Sequence, residues 1–379
     1  MGNRAQKRQR REEARRALTN SPTQHSPPTQ NSPPHQHSPD APSEPPSPPP
    51  DRIGVGVDLQ SPRLEKLLKA ARQRRVISWD ELGQEILQSL STMSGGKYGS
   101  VYGSMYQGIR SVVKVVPVSE TKTTAFGGYS DLEFVTNEFM INSYLKDNQS
   151  VMNNPGVVHV IKVLLVRGVL PEVMRIAMPD KPTTQLYFVT ITRNGGSPLK
   201  EFKVSNLLQF KCIISQILVS LVLMEKDMRF EHRDLHNKNI LVQKCSSRNI
   251  EFGVGKEKVL VSSGGVRTCL IDFTMSRATI HGHRYFVDLS QHGSMFRPDA
   301  KKPSEKARNE MLKCTGGRWA EFNASSNACW IRMQGERLLK NAGRFGPYRW
   351  MMSHWLNKVL EKQTVKDMLS VVNKDIVRK

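Results

Sequence analysis

The polar residues that could do chemistry cluster between Glu231 and Val242, in the stretch EHRDLHNKNILV. Asp234 offers a carboxylate that can orient or accept the proton of an attacking hydroxyl group. Asn239, five residues later, offers an amide oxygen, a ligand type that hard divalent cations accept. The apolar residues 240–242 follow as a short buried strand would. A carboxylate that can serve a hydroxyl group, close in sequence to an amide that can bind a metal, is compatible with phosphoryl transfer.

The spacing within this stretch resembles the catalytic loop of protein kinases, which reads H-R-D-L-x-x-x-N. This chain places His232, Arg233, Asp234, Leu235 and Asn239 at the matching positions. A surface loop of mixed charge could show H-x-D-x-x-x-x-N by chance, but five matched positions before a strand favour catalysis. We therefore predict that Arg233, Asp234 and Asn239 are catalytic, and that Asn239 also binds metal.

A glycine-rich segment, SGGKYGSVYG, lies between Ser94 and Gly103. Its Ser94, Gly96, Gly99 and Val101 occupy the fixed positions of the kinase pattern G-x-G-x-x-G-x-V, with serine in place of the first glycine. Glycines at such positions let backbone amides approach phosphate oxygens without an intervening side chain. Any glycine-rich hairpin turn would look similar, so the prediction of a nucleotide-binding loop depends on the strand that follows.

That strand, residues 111–118, alternates around Lys114 in the run VVKVV. A buried ammonium group without an anionic partner is energetically expensive, so Lys114 should have one. We predict that nucleotide phosphates and the carboxylate of Glu138, in the helical segment LEFVTNEFMINSYL, supply the anions. Glu133 is the competing partner. Glu138 is preferred because Ile141 follows at the next helical turn and would hold the helix against the strands.

Two further segments complete the predicted nucleotide site. After the strand LYFVTIT, Arg193, Asn194 and Gly195 read as a connector between two lobes, where a nucleotide base would bind through backbone groups. Past the catalytic loop, the strand VRTCLIDF ends at Asp272, the position of the metal-binding aspartate in the kinase D-F-G signature. An isolated I-D-F is more often structural, but its order in the chain favours Asp272 as a metal ligand beside Asn239.

Helical patterns surround these segments. Ser78 and Glu81 form a capping box that predicts a helix through Leu90. A longer apolar stripe, with members three or four residues apart, predicts a core helix that leads into the catalytic loop. The members of the stripe are Leu207, Leu208, Phe210, Ile213, Ile214, Ile217, Leu218 and Leu221.

The N-terminal segment differs in composition from the rest of the chain. Residues 4–16 hold seven basic and two acidic residues, which is typical of a nuclear address or nucleic-acid contact and equally of a solvated tail. Residues 21–50 contain 12 prolines and very few apolar groups, so they can bury too little surface to offset the entropy of ordering. We predict that residues 1–60 form a disordered tail.

The overall composition limits the partners and the compartment. The formal net charge of +22 points to acidic partners such as nucleic acid, chromatin or acidic proteins. Five scattered cysteines without a C-x-x-C pair argue against a disulfide framework or zinc site and favour a reducing compartment, the nucleus or the cytoplasm. The most apolar run, residues 207–224, is interrupted by polar residues, so we expect no membrane span.

Three longer motifs resemble one divergent kinase family, the haspins. Residues 230–236 read FEHRDLH and residues 271–277 read IDFTMSR, like the family's catalytic loop and its replacement for D-F-G. Residues 318–330, RWAEFNASSNACW, resemble the family's R-W-x-E segment with the later S-N and Trp. The resemblance covers about residues 90–345. It implies a bilobal kinase whose short activation segment lacks A-P-E.

The chain also departs from this family. Haspins that modify a histone tail carry acidic residues after D-V-S, whereas residues 288–293 read DLSQHG here. The family also places an Asp in the helix before R-W, where it braces the catalytic loop, and this chain offers Lys306, Ala307 and Arg308 instead. We therefore expect histone-tail specificity to be lost and the loop to lack that brace.

Together the patterns predict an α+β, bilobal protein-kinase-like fold. We expect a disordered tail over residues 1–60, a β-rich N-lobe with a helical extension over 61–195, and an α-helical C-lobe over 196–379. The resemblance implies an ATP- and Mg²⁺-dependent kinase, acting as a monomer on Ser or Thr of a protein substrate. A small-molecule kinase of the aminoglycoside or choline type and an inactive binding scaffold are the alternatives. Arg233, the glycine-rich segment and the R-W segment favour the protein kinase.

Overall fold

The computed structural model describes residues 62–95, 99–118, 132–149, 152–177, 184–254, 257–341 and 348–378. The predicted tail over residues 1–60 and Gly96 of the glycine-rich segment lie outside these described residues. Ser94 lies within a strand, and only its backbone is described.

The N-terminal part of the described chain consists mainly of strands. Its β-branched and aromatic residues favour strands because their side chains pack well on a pleated surface. In chain order its elements are α1 (Pro62–Ala71), α2 (Gln84–Ser89), β1 (Ser91–Gly95), β2 (Ser100–Tyr106), β3 (Ile109–Val118), α3 (Leu132–Asn148), β4 (Met152–Asn153), β5 (Val160–Val169), α4 (Glu172–Ala177) and β6 (Thr184–Arg193).

Five of these strands form one antiparallel sheet in the order β1-β2-β3-β6-β5. Lys114 lies on the central strand β3, opposite Val101 on β2 and Thr190 on β6. Helix α3 packs on this sheet through Phe139 and Ile141, which are fully buried in a core that the helix and strands share. Lys114 is therefore fixed in the middle of the sheet, with a packed helix beside it.

The C-terminal part holds the longest helices. In chain order its elements are β7 (Ser197–Pro198), α5 (Leu207–Met228), β8 (Ile240–Lys244), β9 (Asn249–Val254), β10 (Glu257–Ser262), β11 (Val266–Leu270), β12 (Ala278–Ile280), β13 (His283–Tyr285), α6 (Pro303–Thr315), α7 (Ala324–Asn341), α8 (Tyr348–Leu360), α9 (Val365–Ile376) and β14 (Val377–Arg378). Small sheets form in the orders β11-β8-β7, β14-β10-β9-β4 and β12-β13. The predicted catalytic loop thus lies between α5 and β8, and Asp272 follows β11.

Helix α5 forms the core of the C-terminal part. Its N-cap residue, Asn206, accepts a hydrogen bond from the backbone N–H of Gln209. The members of the predicted stripe from Phe210 to Leu221 are fully buried. Leu207 is only partly buried and Leu208 has 54% of its surface exposed, because both lie in the first turn before the helix enters the core.

The same helix is long and apolar enough to cross a membrane by length and composition alone. The sequence analysis expected the polar residues within this helix to exclude a membrane span, but they do not. The helix is instead recognised as a core helix by its burial, because 72% of its most apolar 18-residue window is buried inside the protein. A core helix of a globular fold has this property.

The predicted continuous helix from residue 78 to Leu90 is wrong. The backbone N–H of Ser78 does donate to Glu81 Oε2 at 2.8 Å, but only a 3-10 turn over Asp80–Leu82 follows. Gly83 then adopts a φ of 105°, a conformation that favours glycine, and separates this turn from α2. The α+β prediction itself is confirmed by the β-rich N-terminal part and the helical C-terminal part. The lobe boundary at residue 195 stays a prediction.

Candidate active site

The ammonium group of Lys114 joins the two parts of the fold. Its Nζ donates to both carboxylate oxygens of Glu138 on α3, at 2.7 and 2.9 Å, and to Oδ1 of Asp272 at 3.1 Å. The Glu138 side chain is only 6% exposed. The predicted contact between Lys114 and Glu138 is therefore present, and Asp272, which is distant in sequence, belongs to the same cluster.

Burial and charge together set the protonation of this cluster. Burial alone would lower the pKa of Lys114, but the carboxylates of Asp272 and Glu138 raise it above its usual value. Burial opposes the ionisation of Asp272, yet Lys114 beside it lowers the pKa of that carboxyl to about 2. Lys114 is therefore a cation and Asp272 an anion at neutral pH, which are the charges that phosphate and metal binding need.

Two polar residues that the sequence reasoning missed hold this cluster together. The hydroxyl of Thr274 lies within hydrogen-bond distance of Glu138 Oε2, at 3.0 Å, and of Asp272 Oδ1, and its one proton is shared between these two carboxylates. The amide of Asn137 on α3 donates to the backbone carbonyls of Thr274 and Ser276, at 3.1 and 2.6 Å. Helix α3 therefore holds the segment after Asp272 through neutral hydrogen bonds as well as through charge.

Asp234 of the catalytic loop is 15% exposed and is contacted from two sides. Nη2 of Arg308, on helix α6, donates to Oδ1 at 2.8 Å, and Nε2 of His236 lies 3.7 Å from Oδ2. Burial raises the pKa of Asp234, while His236 and Arg308 oppose that rise. The helix before R-W lacks the family's Asp, but Arg308 of this helix contacts the loop in its place.

Asn239 lies at the end of the same loop and is buried. Its Nδ2 donates to the backbone carbonyl of Asp234 at 3.0 Å, and its own carbonyl accepts from the N–H of Ile271 at 3.0 Å. No donor in the described part of the chain contacts the side-chain oxygen of Asn239, which therefore remains available as a ligand. Among the described residues, Oδ2 of Asp272 has no hydrogen-bond donor, since both of its described contacts use Oδ1.

This pair fits a magnesium ion that is completed by phosphate oxygens. Mg²⁺ is usually bound through one or two carboxylates together with substrate phosphates and water. The described residues contain no group of three or more His, Cys, Asp or Glu arranged to hold a metal by themselves. Asn239 and Asp272 would therefore bind the metal together with a nucleotide.

Arg233 is buried and supports the loop rather than facing open solvent. Its Nε and Nη2 each donate to the carboxylate of Glu231 at 3.2 Å, and Nη2 also donates to the carbonyl of Trp319 at 2.8 Å. Its guanidinium lies 5.3 Å from the centre of the Trp319 ring, a cation–π distance. The R-W segment is thus bound to the catalytic loop through Trp319.

Helix α7 fixes the backbone of the loop from behind. Oδ1 of Asn327 accepts from the N–H of His232 at 2.9 Å, and Nε2 of Gln334 donates to the carbonyl of Leu235 at 2.6 Å. Burial lowers the pKa of His232 to about 4, so the ring is neutral. Its Nε2 lies 3.1 Å from the carbonyl of Ile271, and because a carbonyl only accepts, Nε2 carries the proton. The loop and the Asp272 segment are thereby joined.

Two residues of this site adopt left-handed backbone conformations that side chains other than glycine rarely take. They are Arg233, with a φ of 61°, and Asp272, with a φ of 65°. Such conformations persist where the surroundings fix them, and they occur often at functional sites. Arg233 is fixed by Glu231 and Trp319, and Asp272 by Lys114 and Thr274.

The described part of the glycine-rich segment lies next to Lys114. Ser94 pairs with Val101 between β1 and β2, and Val101 pairs in turn with Lys114. A Cβ atom added at Gly99 would lie 2.4 Å from the carbonyl oxygen of Val115, so only glycine fits there. Ser94 on β1 and Val101 on β2 are thus connected to Lys114 through strand pairing, and Gly99 directly precedes β2.

The predicted connector, Arg193 to Gly195, leads from β6 to β7 and so joins the two parts of the fold. The N–H groups of Arg193 and Asn194 donate to the carbonyls of His159 and Arg110. Among the described residues, the N–H of Gly195 has no acceptor. It is the backbone donor that a nucleotide base could use.

A cavity of about 660 Å³ adjoins the connector. It lies between the end of α3, at Leu145 and Gln149, and the strand residues Arg267 and Cys269. Neither Lys114 nor Asp272 is among the described residues that line it. This cavity is therefore separate from the Lys114 cluster.

Comparison with known proteins agrees with this geometry. The family model described as "Haspin like kinase domain" matches residues 58–374. The serine/threonine-protein kinase haspin of Bos taurus is 24% identical over 301 residues, covering 74% of this chain and 38% of the relative. The haspin homolog of Arabidopsis thaliana is 25% identical over 300 residues, covering 74% and 49%. The haspin homolog of Drosophila melanogaster is 27% identical over 241 residues, covering 58% and 42%.

The chain thus spans less than half the length of each of these three curated relatives. The family model, in contrast, extends over most of the chain and includes every residue of the candidate site. Taken together with the Lys114 cluster and the braced catalytic loop, this match assigns the family: the chain belongs to the haspin-like kinase domains.

Proposed function

We propose that this chain is an ATP- and Mg²⁺-dependent protein serine/threonine kinase. The observation that carries the proposal is the ammonium group of Lys114, which contacts both Glu138 and Asp272. Protein kinases need an ion pair between a strand Lys and a helix Glu, with the metal-binding Asp in place as well, and these three groups meet at Lys114. The names of the relatives, which are serine/threonine-protein kinases, support the same reading.

Each site residue then has a defined role. Lys114, held by Glu138, orients the phosphates, and Asn239 and Asp272 would hold the metal, which would neutralise charge on the phosphate oxygens. The N–H of Gly195 donates a hydrogen bond to the nucleotide base. These roles are mainly placement and charge neutralisation, since phosphoryl transfer requires little covalent chemistry from the protein.

Asp234 handles the proton of the substrate. The hydroxyl oxygen of Ser or Thr attacks the γ-phosphorus, while the bond from that phosphorus to the bridging oxygen breaks and its electron pair leaves with ADP. The hydroxyl proton passes to the Asp234 carboxylate. The raised pKa of Asp234, which results from burial, makes this carboxylate a better base than an exposed one.

The test is a phosphorylation assay with the purified chain, ATP and Mg²⁺ on pools of Ser/Thr peptides, with Asp234→Asn as the inactive control. Phosphopeptide formation by the wild type alone would support the proposal. Transfer to choline or aminoglycosides but to no peptide would favour a small-molecule kinase. Nucleotide binding without transfer to any acceptor would favour a binding scaffold.

We infer that the preferred substrate has neutral or acidic residues around the target. Residues 297–379 hold 18 basic and 8 acidic residues, and residues 289–293 contain no carboxylate. The one carboxylate next to them, Asp288, accepts hydrogen bonds from the N–H and hydroxyl of Ser290 at 3.0 and 2.6 Å. A basic peptide would therefore meet repulsion that strengthens as salt is lowered. Faster initial rates on the basic member of a matched peptide pair at low salt would contradict this inference.

We also propose a nuclear location, with the basic residues 4–16 as the address and chromatin or another acidic partner as the target of the basic surface. The net charge of +22 supports this proposal. Replacement of Lys7, Arg8, Arg10 and Arg11 by Ala in a fluorescent fusion should abolish nuclear enrichment. Unchanged enrichment would refute the proposed address.

A further inference from the structure

Helix α6 places a guanidinium group directly on the carboxylate of the catalytic loop. Nη2 of Arg308 lies 2.8 Å from Oδ1 of Asp234, and the two side chains are only 18% and 15% exposed. A charge-assisted hydrogen bond of this length is about twice as strong as a neutral one. The orientation of the Asp234 carboxylate is therefore set by a residue 74 positions later in the chain.

The second oxygen of Asp234 is held much less firmly. Oδ2 lies 3.7 Å from Nε2 of His236, which is longer than a hydrogen bond. The backbone of Asp234 is fixed separately, because Nδ2 of Asn239 donates to its carbonyl at 3.0 Å. With the backbone fixed and Oδ1 bound to Arg308, Oδ2 is the oxygen left to accept the hydroxyl group of a substrate.

Arg308 also retains unused donors at this place. A guanidinium group has five N–H donors, and the described contact with Asp234 uses one nitrogen. Nε of Arg308 is buried and has no acceptor among the described residues. A buried donor without a partner costs free energy, and an oxygen of a bound substrate would remove that cost.

We propose that Arg308 is a positioning residue of the phosphotransfer step. It holds Asp234 with Oδ2 directed at the Ser or Thr hydroxyl, and it adds a permanent positive charge beside the phosphoryl group in transfer. Arg308 itself neither gains nor loses a proton. This inference rests on the proposed kinase function and gives α6 a direct role in it. Preorganised cations near the developing charge of a transition state are a main source of catalysis.

The same helix offers a matched control. Lys306 lies two residues before Arg308 on α6 and is exposed. Lys306→Met therefore removes one positive charge from α6 without touching Asp234. Arg308→Met removes the same charge together with the contact. Arg308→Lys keeps the charge but loses the planar fork that holds a carboxylate.

The experiment measures initial rates of peptide phosphorylation against ATP concentration and peptide concentration for the wild type and these three variants. For Arg308→Met we expect kcat to fall on the order of 100-fold, the effect of misplacing a catalytic group by about 1 Å, with KM for ATP unchanged. Arg308→Lys should have an intermediate kcat. Lys306→Met should have the kcat of the wild type.

The melting temperature, read together with the kcat of Arg308→Lys, separates positioning from a merely structural role, because partial unfolding would lower the active fraction and the melting temperature together. Wild-type or higher kcat in Arg308→Met would overturn the proposal, as would an equal loss in Lys306→Met. If Arg308→Met does not fold, wild-type kcat in Arg308→Lys would overturn it. An inactive wild type would overturn the proposed kinase function instead.

Discussion

Removal of the Lys114 ammonium should destabilise the fold because it leaves a buried carboxylate without its cation. Glu138 is 6% exposed and receives two hydrogen bonds from Lys114, at 2.7 and 2.9 Å. Breaking a fully buried ion pair costs about 3–5 kcal/mol. Lys114 is 28% exposed, so solvent screens part of the interaction, and we expect Lys114→Met to cost about 2–3 kcal/mol.

The double variant Lys114→Met, Glu138→Gln separates the charge from the packing. With Gln at position 138, the loss of Lys114 leaves only the carboxylate of Asp272, which is 38% exposed, without its cation, so the double variant should cost less than the sum of the two single variants. We expect this difference to be at least about 1 kcal/mol, which exceeds the usual additivity error of about 0.5 kcal/mol. Urea denaturation followed by circular dichroism gives all three free energies of unfolding.

The control is an exposed ion pair of the same chemistry. Nζ of Lys258 lies 3.0 Å from the carboxylate of Glu251, and the two side chains are 65% and 41% exposed. Lys258→Met should therefore cost less than about 1 kcal/mol. Additive costs for the Lys114 and Glu138 variants, or a cost no larger than that of Lys258→Met, would refute the reasoning.

Three further outcomes follow from the site and the composition. Asp272→Asn should abolish the Mg²⁺-dependent rise in melting temperature that ATP produces, and a shift equal to that of the wild type would place the metal elsewhere. Burial raises the pKa of Glu225 to about 7 from 4.5. The folded state then binds more protons than the unfolded state between these pH values, so the stability of the wild type should fall by about 3 kcal/mol relative to Glu225→Gln as pH rises through them. A constant difference would contradict this. Deletion of residues 1–50 should leave the melting temperature unchanged, because that segment has very few apolar residues to bury.

The relative positions of site residues that are close together in sequence were predictable, because their spacing alone indicates which loop, strand or helix they share. Asp234 and Asn239 share one loop, and the alternating strand around Lys114 required a buried anion. The choice of Glu138 followed from helical spacing. Local patterns also have limits, since the capping box at Ser78 formed but Gly83 ended the turn that follows it.

The residues that sequence reasoning missed act through contacts between distant elements. Arg308 reaches Asp234 across 74 positions, and Asn327 reaches His232 across 95. Which side of α6 or α7 faces the loop depends on how the helices pack, and no periodicity in the sequence gives that. Thr274 had a usable signal, because it replaces the glycine of D-F-G directly beside Asp272.

The central claim is that the Asp234 loop and the Lys114 cluster form one phosphotransfer site with separate tasks. Asp234→Asn tests this claim most directly, because Asp234 serves the substrate hydroxyl whereas Lys114, Asn239 and Asp272 serve the nucleotide. Nucleotide affinity and peptide phosphorylation should be measured on the same preparation of wild type and variant. We predict unchanged affinity for ATP with Mg²⁺ and loss of phosphotransfer. Phosphotransfer at the wild-type rate in Asp234→Asn would contradict the account.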